Sequence, residues 1–364
     1  MSAPTPPRPP FIAGEAPAAW NALPFAERVI RWQRGHGRSD LPWQGTRDAY
    51  RVWLSEIMLQ QTQVSTVIPY FERFVARFPD AAALAAAPED EVMALWSGLG
   101  YYARARNLHR AARDVVERFA GVFPARFDDL VTLPGIGRST AGAIAAFASG
   151  EARPILDGNV RRVLARHAGI PGDPTSNAVQ KALWEEAEAR MPRDDVEAYT
   201  QGMMDLGATV CLPRKPLCLL CPVNEDCTAR LEDRIDELPG RKVRGATRRK
   251  RVAMLVVVSR GEVLLEKRPA RGIWGGLWSL PEADADSKPE EALRADWGLE
   301  ASRIEPLAPF EHAFTHFTLE VTPWRIEPRG SMALAESKPA TWLPLTDLAG
   351  AALPSPVRKL LQAL

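Results

Sequence analysis

All four cysteines of this 364-residue chain fall between Cys211 and Cys227. A secreted protein scatters its cysteines to staple distant parts of the chain together. Clustering in one short segment points instead to metal ligation in a reducing cytoplasm. The gaps are six, two and five residues, so only Cys218 and Cys221 form a close pair. Zinc sites usually come as two close pairs, each forming its own knuckle. Four thiolates with unequal gaps suit a 4Fe–4S cube better, with zinc as the alternative. A cluster of either kind can serve only to fold its loop. Arg214 and Lys215 lie between the first two cysteines, and two cations on a rigid loop suit a phosphate contact.

The length predicts two or three domains, and 46% hydrophobic with 25% charged residues is globular composition. No run of ~18 apolar residues is present, so no membrane partner is expected. Residues 1–17 are proline-rich and predict a disordered lead-in rather than a signal peptide. Residues 18–230 read as helices, with apolar positions three and four apart. From Val252 the texture changes to valine-rich runs separated by Arg260-Gly261, a hairpin signal, and Phe317–Trp324 reads as a further strand. Residues 251–364 therefore predict a separate α+β domain, joined by a basic linker over 231–250. The net charge is only +1, but Arg241, Lys242, Arg244, Arg248, Arg249, Lys250 and Arg251 crowd one stretch. That run is either a phosphate contact or a solvated linker.

Three further segments carry candidate chemistry. Leu133-Pro134-Gly135-Ile136-Gly137 precedes a helix predicted from Arg138 to Phe147. Its glycines allow a tight turn, and the helix N-terminus would offer free N–H groups to a phosphate. Asp157 follows the apolar Ile155-Leu156 and opens another helix, a position that suits an N-cap as well as a catalytic carboxylate. In the helix Arg51–Gln60, Glu56 projects between Val52 and Leu59 on one side and Trp53 on the other. A carboxyl group desolvated there would have a raised pKa and suit a general acid, unless the flank is exposed or a buried arginine neutralises it.

Together these segments resemble the helix–hairpin–helix glycosylase superfamily and, more narrowly, the MutY-type adenine DNA glycosylases. The likeness rests on Leu41-Pro42-Trp43, on Trp53 through Gln63, on Gly98-Leu99-Gly100-Tyr101-Tyr102, on the Leu133–Gly142 hairpin, on Ile155–Val160 and on the cysteine spacing. It implies a mostly α, two-lobed helix–hairpin–helix domain with a 4Fe–4S loop held by Cys211, Cys218, Cys221 and Cys227. It further implies excision of adenine opposite 8-oxoguanine or guanine in double-stranded DNA by base flipping. Glu56 would be the general acid, Asp157 the stabiliser of the oxocarbenium ion, and Asn159 its support, in parallel with glycoside hydrolysis. Trp43, Leu59 and Gln201 would line the base pocket. Gln61 and Tyr101 would wedge into the duplex, and Gly135 and Gly137 would meet the DNA backbone with Arg214 and Lys215. Related enzymes that also nick DNA have a lysine where this chain has Ser139, so a monofunctional hydrolase is expected.

The C-terminal segment resembles a Nudix, MutT-like domain. Its stretch Pro289–Trp297 lacks the glutamate run that holds magnesium, so the domain is expected to read DNA rather than to hydrolyse. Phe314-Thr315-His316 would check for 8-oxoguanine, with Thr315 where the family more often has serine. The expected protein is an intracellular, nucleoid-associated monomer. Three rivals remain: a glycosylase–lyase for oxidised pyrimidines, a non-catalytic iron–sulfur DNA-binding or electron-transfer protein, and a Nudix pyrophosphatase. The first is disfavoured by Ser139, the second by the presence of both carboxylates, and the third by the missing glutamates.

Overall fold

The computed structural model describes residues 22–240, 248–314, 316–329 and 339–364. The expected lead-in 1–17, Arg241, Lys242, Arg244 and Thr315 lie outside them. Helices come first: α1 (Phe25–His36), α2 (Ala49–Leu59), α3 (Val64–Arg77), α4 (Ala81–Ala86), α5 (Glu89–Trp96), α6 (Ala103–Phe119), α7 (Phe127–Leu130), α8 (Arg138–Ser149), α9 (Gly158–His167), α10 (Asn177–Ala189) and α11 (Val196–Asp205). A π-turn, Leu206–Val210, and the cysteine loop lead to α12 (Thr228–Leu231). No helix among the described residues is long and apolar enough to cross a membrane.

Among the described residues the chain forms two compact units. One holds the residues up to Ala85 together with those from Arg110 to the end of the helical region, and the other holds Ala86–His109 with the strands. The division falls inside α6. In the first unit, α1 turns Phe25, Val29, Ile30 and Trp32 inward to meet Leu164 of α9 and Tyr199 and Met203 of α11. Helix α2 is buried almost all round, with Trp53, Leu54 and Met58 fully enclosed, which its sequence allows because only Arg51 and Glu56 interrupt the apolar and small residues. Asp48 caps it, accepting from the N–H groups of Tyr50 and Arg51.

The second unit contains β1 (Arg248–Ser259), β2 (Glu262–Lys267), β3 (Trp278–Ser279), β4 (Glu282–Asp284), α13 (Pro289–Trp297), β5 (Glu300–Pro306), β6 (Phe310–Ala313), β7 (Phe317–Arg329), β8 (Ala340–Pro344) and α14 (Ser355–Gln362). The main sheet order is β3-β2-β1-β7-β5, with β1 and β7 parallel and the other pairs antiparallel. Leu255, Val257, Leu264 and Ile326 of the sheet pack against Leu293 and Trp297 of α13.

The described residues at the two ends of the stretch expected as a basic linker belong to the folded units. Leu238 is buried, and its carbonyl accepts from Arg166 Nε at 2.8 Å. Arg248–Arg251 belong to β1, where Arg249 pairs with Glu311 and Glu320 and Arg251 pairs with Asp286. The charges of Arg249 and Arg251 are matched by acidic residues that strand pairing and the turn after β4 bring alongside.

Leu164 has no exposed surface, so Leu164→Ala should destabilise the helical unit by about 2–5 kcal/mol. Urea unfolding followed by helical circular dichroism should show a lower midpoint, and an unchanged midpoint would place Leu164 outside the core.

Candidate active site

Trp43, Glu56, Leu59 and Gln201 line one cleft of about 720 Å3, together with Arg38 and Ser55. That volume is in the range of small-ligand sites. Glu56 projects from α2 into the cleft. Burial is the main reason its carboxyl is pushed up to about 8, and the nearby Asp157 charge pushes in the same direction. Neither cause is a cation, so the alternative of a neutralising arginine does not hold. At neutral pH this carboxyl keeps its proton.

Asp157 is the N-cap of α9, and its carboxylate accepts from the Val160 N–H at 2.7 Å. Capping and proximity to Glu56 therefore coincide in one residue. Burial raises its pKa, against the N–H groups of Val160 and Asn159 and the charges of Arg162 and Arg161. Of the two carboxyls, Glu56 is the one held protonated, while Asp157 sits where N–H dipoles favour the anion. Asn159 accepts from Arg162 Nη2 at 2.9 Å. Gly207 lies directly behind Asn159, and a Cβ there would stand 2.5 Å from that of Asn159.

The hairpin is a reverse turn closed by Ile136 N–H to Leu133 O at 3.2 Å. Pro134 precedes Gly135, whose φ of 80° fills the left-handed position that such a turn requires. Gly137 caps α8 without a side-chain bond, which leaves the first N–H groups of α8 available. Ser139 Oγ accepts from Leu156 N–H at 2.9 Å, so its hydroxyl ties α8 to the segment that delivers Asp157. Gln61 and Tyr101 are both exposed and both have positive φ, 58° and 48°. Arg214 and Lys215 are exposed on the cysteine loop.

Cys211, Cys218, Cys221 and Cys227 line one small apolar pocket with Val163, Arg166 and His167. Among the described residues no three Cys, His, Asp or Glu side chains converge as a single bound ion would require. Four thiols around one pocket are the donor type that an iron–sulfur cluster takes. Burial raises the thiol pKa of Cys218, Cys221 and Cys227, and charge on the neighbouring thiols raises them further. Arg166 Nη1 stands 3.4 Å from Cys211 Sγ.

Two residues of consequence were not singled out in the sequence. Arg162 donates through Nε to the Cys211 carbonyl at 2.6 Å and through Nη2 to Gly207 O and Asn159 Oδ1, joining the cysteine loop to the neighbour of Asp157. Asp205 is fully buried and accepts from Arg38 N and Nε and from Gln201 Nε2, at 2.7–2.9 Å. Its position four residues after Gln201 on α11 was the available signal. In the second unit Phe314 is half-buried and stacks on Phe317 at 4.5 Å, and His316 is exposed.

Glu56 gives a stability prediction. The folded protein retains its proton up to about pH 8, whereas the unfolded chain releases it near 4.5. The favourable contribution is complete below 4.5 and is lost as pH rises through about 8. Glu56→Gln cannot ionise, so its melting temperature should exceed that of the wild type at pH 8.5 and the gap should close by pH 4.5. A gap independent of pH would contradict the buried, protonated carboxyl.

Comparison with known proteins agrees with this geometry. Residues 54–189 match the HhH-GPD superfamily of base excision DNA repair proteins, and residues 252–363 match the NUDIX domain. The adenine DNA glycosylase of Buchnera aphidicola (subsp. Acyrthosiphon pisum) is 37% identical, covering 93% of this chain and 97% of that one. The human adenine DNA glycosylase is 33% identical, over 92% and 73%. A thermostable thymine-DNA glycosylase structure aligns with a TM-score of 0.52 at 30% identity, over 57% and 95% of the two chains. An endonuclease III in complex with DNA shares the fold, with a TM-score of 0.50 at 19% identity over 60% and 98%. With both domains matched in order and identity extending along nearly the whole of this chain and of the Buchnera relative, this chain belongs to the adenine DNA glycosylases.

Proposed function

We propose that the chain is a monofunctional base excision repair enzyme that hydrolyses the N-glycosidic bond of adenine opposite 8-oxoguanine or guanine in duplex DNA. The observation that carries this is Glu56: a carboxyl held protonated to about pH 8, on the wall of a base-sized cleft and beside a second carboxylate. Adenine must leave the helix to enter such a cleft. Glu56 donates its proton to N7, which weakens the bond between N9 and the sugar. Asp157, held by N–H groups and Arg162, keeps its negative charge as positive charge develops on the sugar ring. Water then adds to the sugar carbon, and its proton leaves to solvent or to the emptied carboxylate.

Trp43 and Leu59 give the base apolar faces. Asp205 takes the Gln201 amide N–H, which leaves the amide oxygen free to accept from the exocyclic amine of adenine. Gln61 and Tyr101 fill the gap in the duplex, and Gly135, Gly137, Arg214 and Lys215 hold phosphates. Ser139 has no amine to form a Schiff base, and its hydroxyl is already engaged by Leu156 N–H. The four cysteines would hold a 4Fe–4S cluster, which when bound supplies iron–thiolate bonds that fix the loop carrying Arg214 and Lys215. The Nudix-like unit reads 8-oxoguanine through Phe314, Thr315 and His316, and the protein acts as a monomer inside the cell, where its DNA substrate lies.

Single-turnover reactions on duplexes with adenine opposite 8-oxoguanine test the proposal. The wild type should release adenine and leave the strand uncut without alkali, and Glu56→Gln should lose ~100-fold or more of the rate. Nicking without alkali would favour a glycosylase–lyase. Tight binding without release would favour a binding protein.

Arg162→Ala should slow release by ~10–100-fold, as loss of an orienting partner commonly does. The measurement is the single-turnover rate with enzyme in excess, alongside iron content. An unchanged rate would mean that Asn159 and Asp157 hold their positions without Arg162.

A further inference from the structure

The loop between β2 and β3 has no role in the mechanism above, yet its backbone is unusually constrained. Its ends close on themselves, Arg268 N–H to Leu277 O at 2.8 Å and Gly276 N–H to Arg268 O at 3.2 Å. Between them, Trp274 has a φ of 52° and only 6% of its surface exposed. A bulky residue persists in the left-handed region only where its surroundings hold it there. Two contacts do so. The Trp274 ring lies 5.9 Å from His312 and 5.8 Å from Phe314, and these two meet edge to face at 4.7 Å. On the other flank, Arg106 Nη1 donates to the carbonyl of Gly275. Arg106 lies on α6, five residues after Tyr101, in the helical segment that belongs to the same compact unit as the sheet.

The loop thus ties the segment carrying Tyr101 to Phe314 of the reading loop and to His312 beside it. We propose that Trp274 is a positioning residue for recognition of the base opposite adenine: its ring sets the placement of His312 and Phe314, and Arg106 fixes the backbone from which it projects. Trp274 itself need not touch DNA. An aromatic backing suits this task because a planar ring restrains two neighbouring rings at once and adds no hydrogen bond of its own to the base code. The inference rests on the reading of this domain as the 8-oxoguanine sensor.

The test compares wild-type, Trp274→Ala, Trp274→Phe and Arg106→Gln proteins, each full-length and loaded with iron. The readout is the ratio of kcat/KM for adenine opposite 8-oxoguanine to that opposite guanine, with melting temperature measured in parallel. Trp274→Ala should reduce the ratio by about tenfold, the scale of a lost aromatic contact, while leaving the saturated single-turnover rate on adenine–guanine pairs unchanged. Trp274→Phe should keep the ratio within about twofold of wild type. If Trp274→Ala fails to fold, Arg106→Gln decides, because it leaves the ring and releases the Gly275 carbonyl, with Glu89→Gln as the control for the charge that Arg106 also faces. A lowered ratio at unchanged melting temperature supports the proposal, and an unchanged ratio overturns it. A wild type with no preference for 8-oxoguanine would overturn the sensor reading and this inference with it, whereas a preference retained in every variant would overturn this inference alone.

Discussion

The arrangement depends most on how α9 is held. At its N-terminus the helix is capped by Asp157, whose carboxylate accepts from Val160 N–H. One turn later Arg162 reaches Asn159, Gly207 and Cys211, and after another turn Arg166 reaches the carbonyls of Leu212, Pro213 and Leu238. Arginines four residues apart on one helix face thereby bind the cysteine loop to the element that presents the Asp157 carboxyl. Guanidinium suits this position because its donors form a rigid fork that spans several acceptors, which an ammonium group cannot do from one place.

Much of the site was legible in the sequence because its logic is local. Glu56 among apolar neighbours on a helix predicts desolvation, and Asp157 before a helix predicts a cap. The glycines of Leu133–Gly137 predict a tight turn, which Gly135 makes at a φ of 80°. Each follows from the period of a helix or the needs of one turn. The link from Arg162 to Cys211 is different in kind. It joins residues 49 positions apart, and no local pattern marks which of the arginines at 161, 162 and 166 faces the loop. Arg249 and Arg251, at the edge of the basic stretch, depend on distant partners in a related way. Charge density alone does not reveal that partners on β6, β7 and the turn after β4 pair with these two arginines once the strands form. Composition records charge but not the acceptors that folding brings to it.

The two carboxyls illustrate how the same burial yields opposite roles. Glu56 stands on the cleft wall with no compensating cation among the causes of its shift, so desolvation favours the protonated form. Asp157 is buried too, but it sits on N–H groups at a helix end and near Arg162 and Arg161, which favour the anion. The Asp157 charge pushes the Glu56 carboxyl further towards its protonated form, and the N–H groups and arginines around Asp157 oppose the effect of its burial.

Gln61 and Tyr101 share a positive φ while carrying side chains much larger than glycine. Substitution at either position must therefore satisfy two requirements that pull apart. Glycine or asparagine would adopt the backbone readily but would surrender the bulk. A valine or isoleucine would supply bulk but would resist the left-handed turn at its branched Cβ. Few amino acids meet both demands, so these exposed positions should tolerate substitution poorly, and at Tyr101 the Arg104 guanidinium lies 5.5 Å from the ring centre as a further constraint.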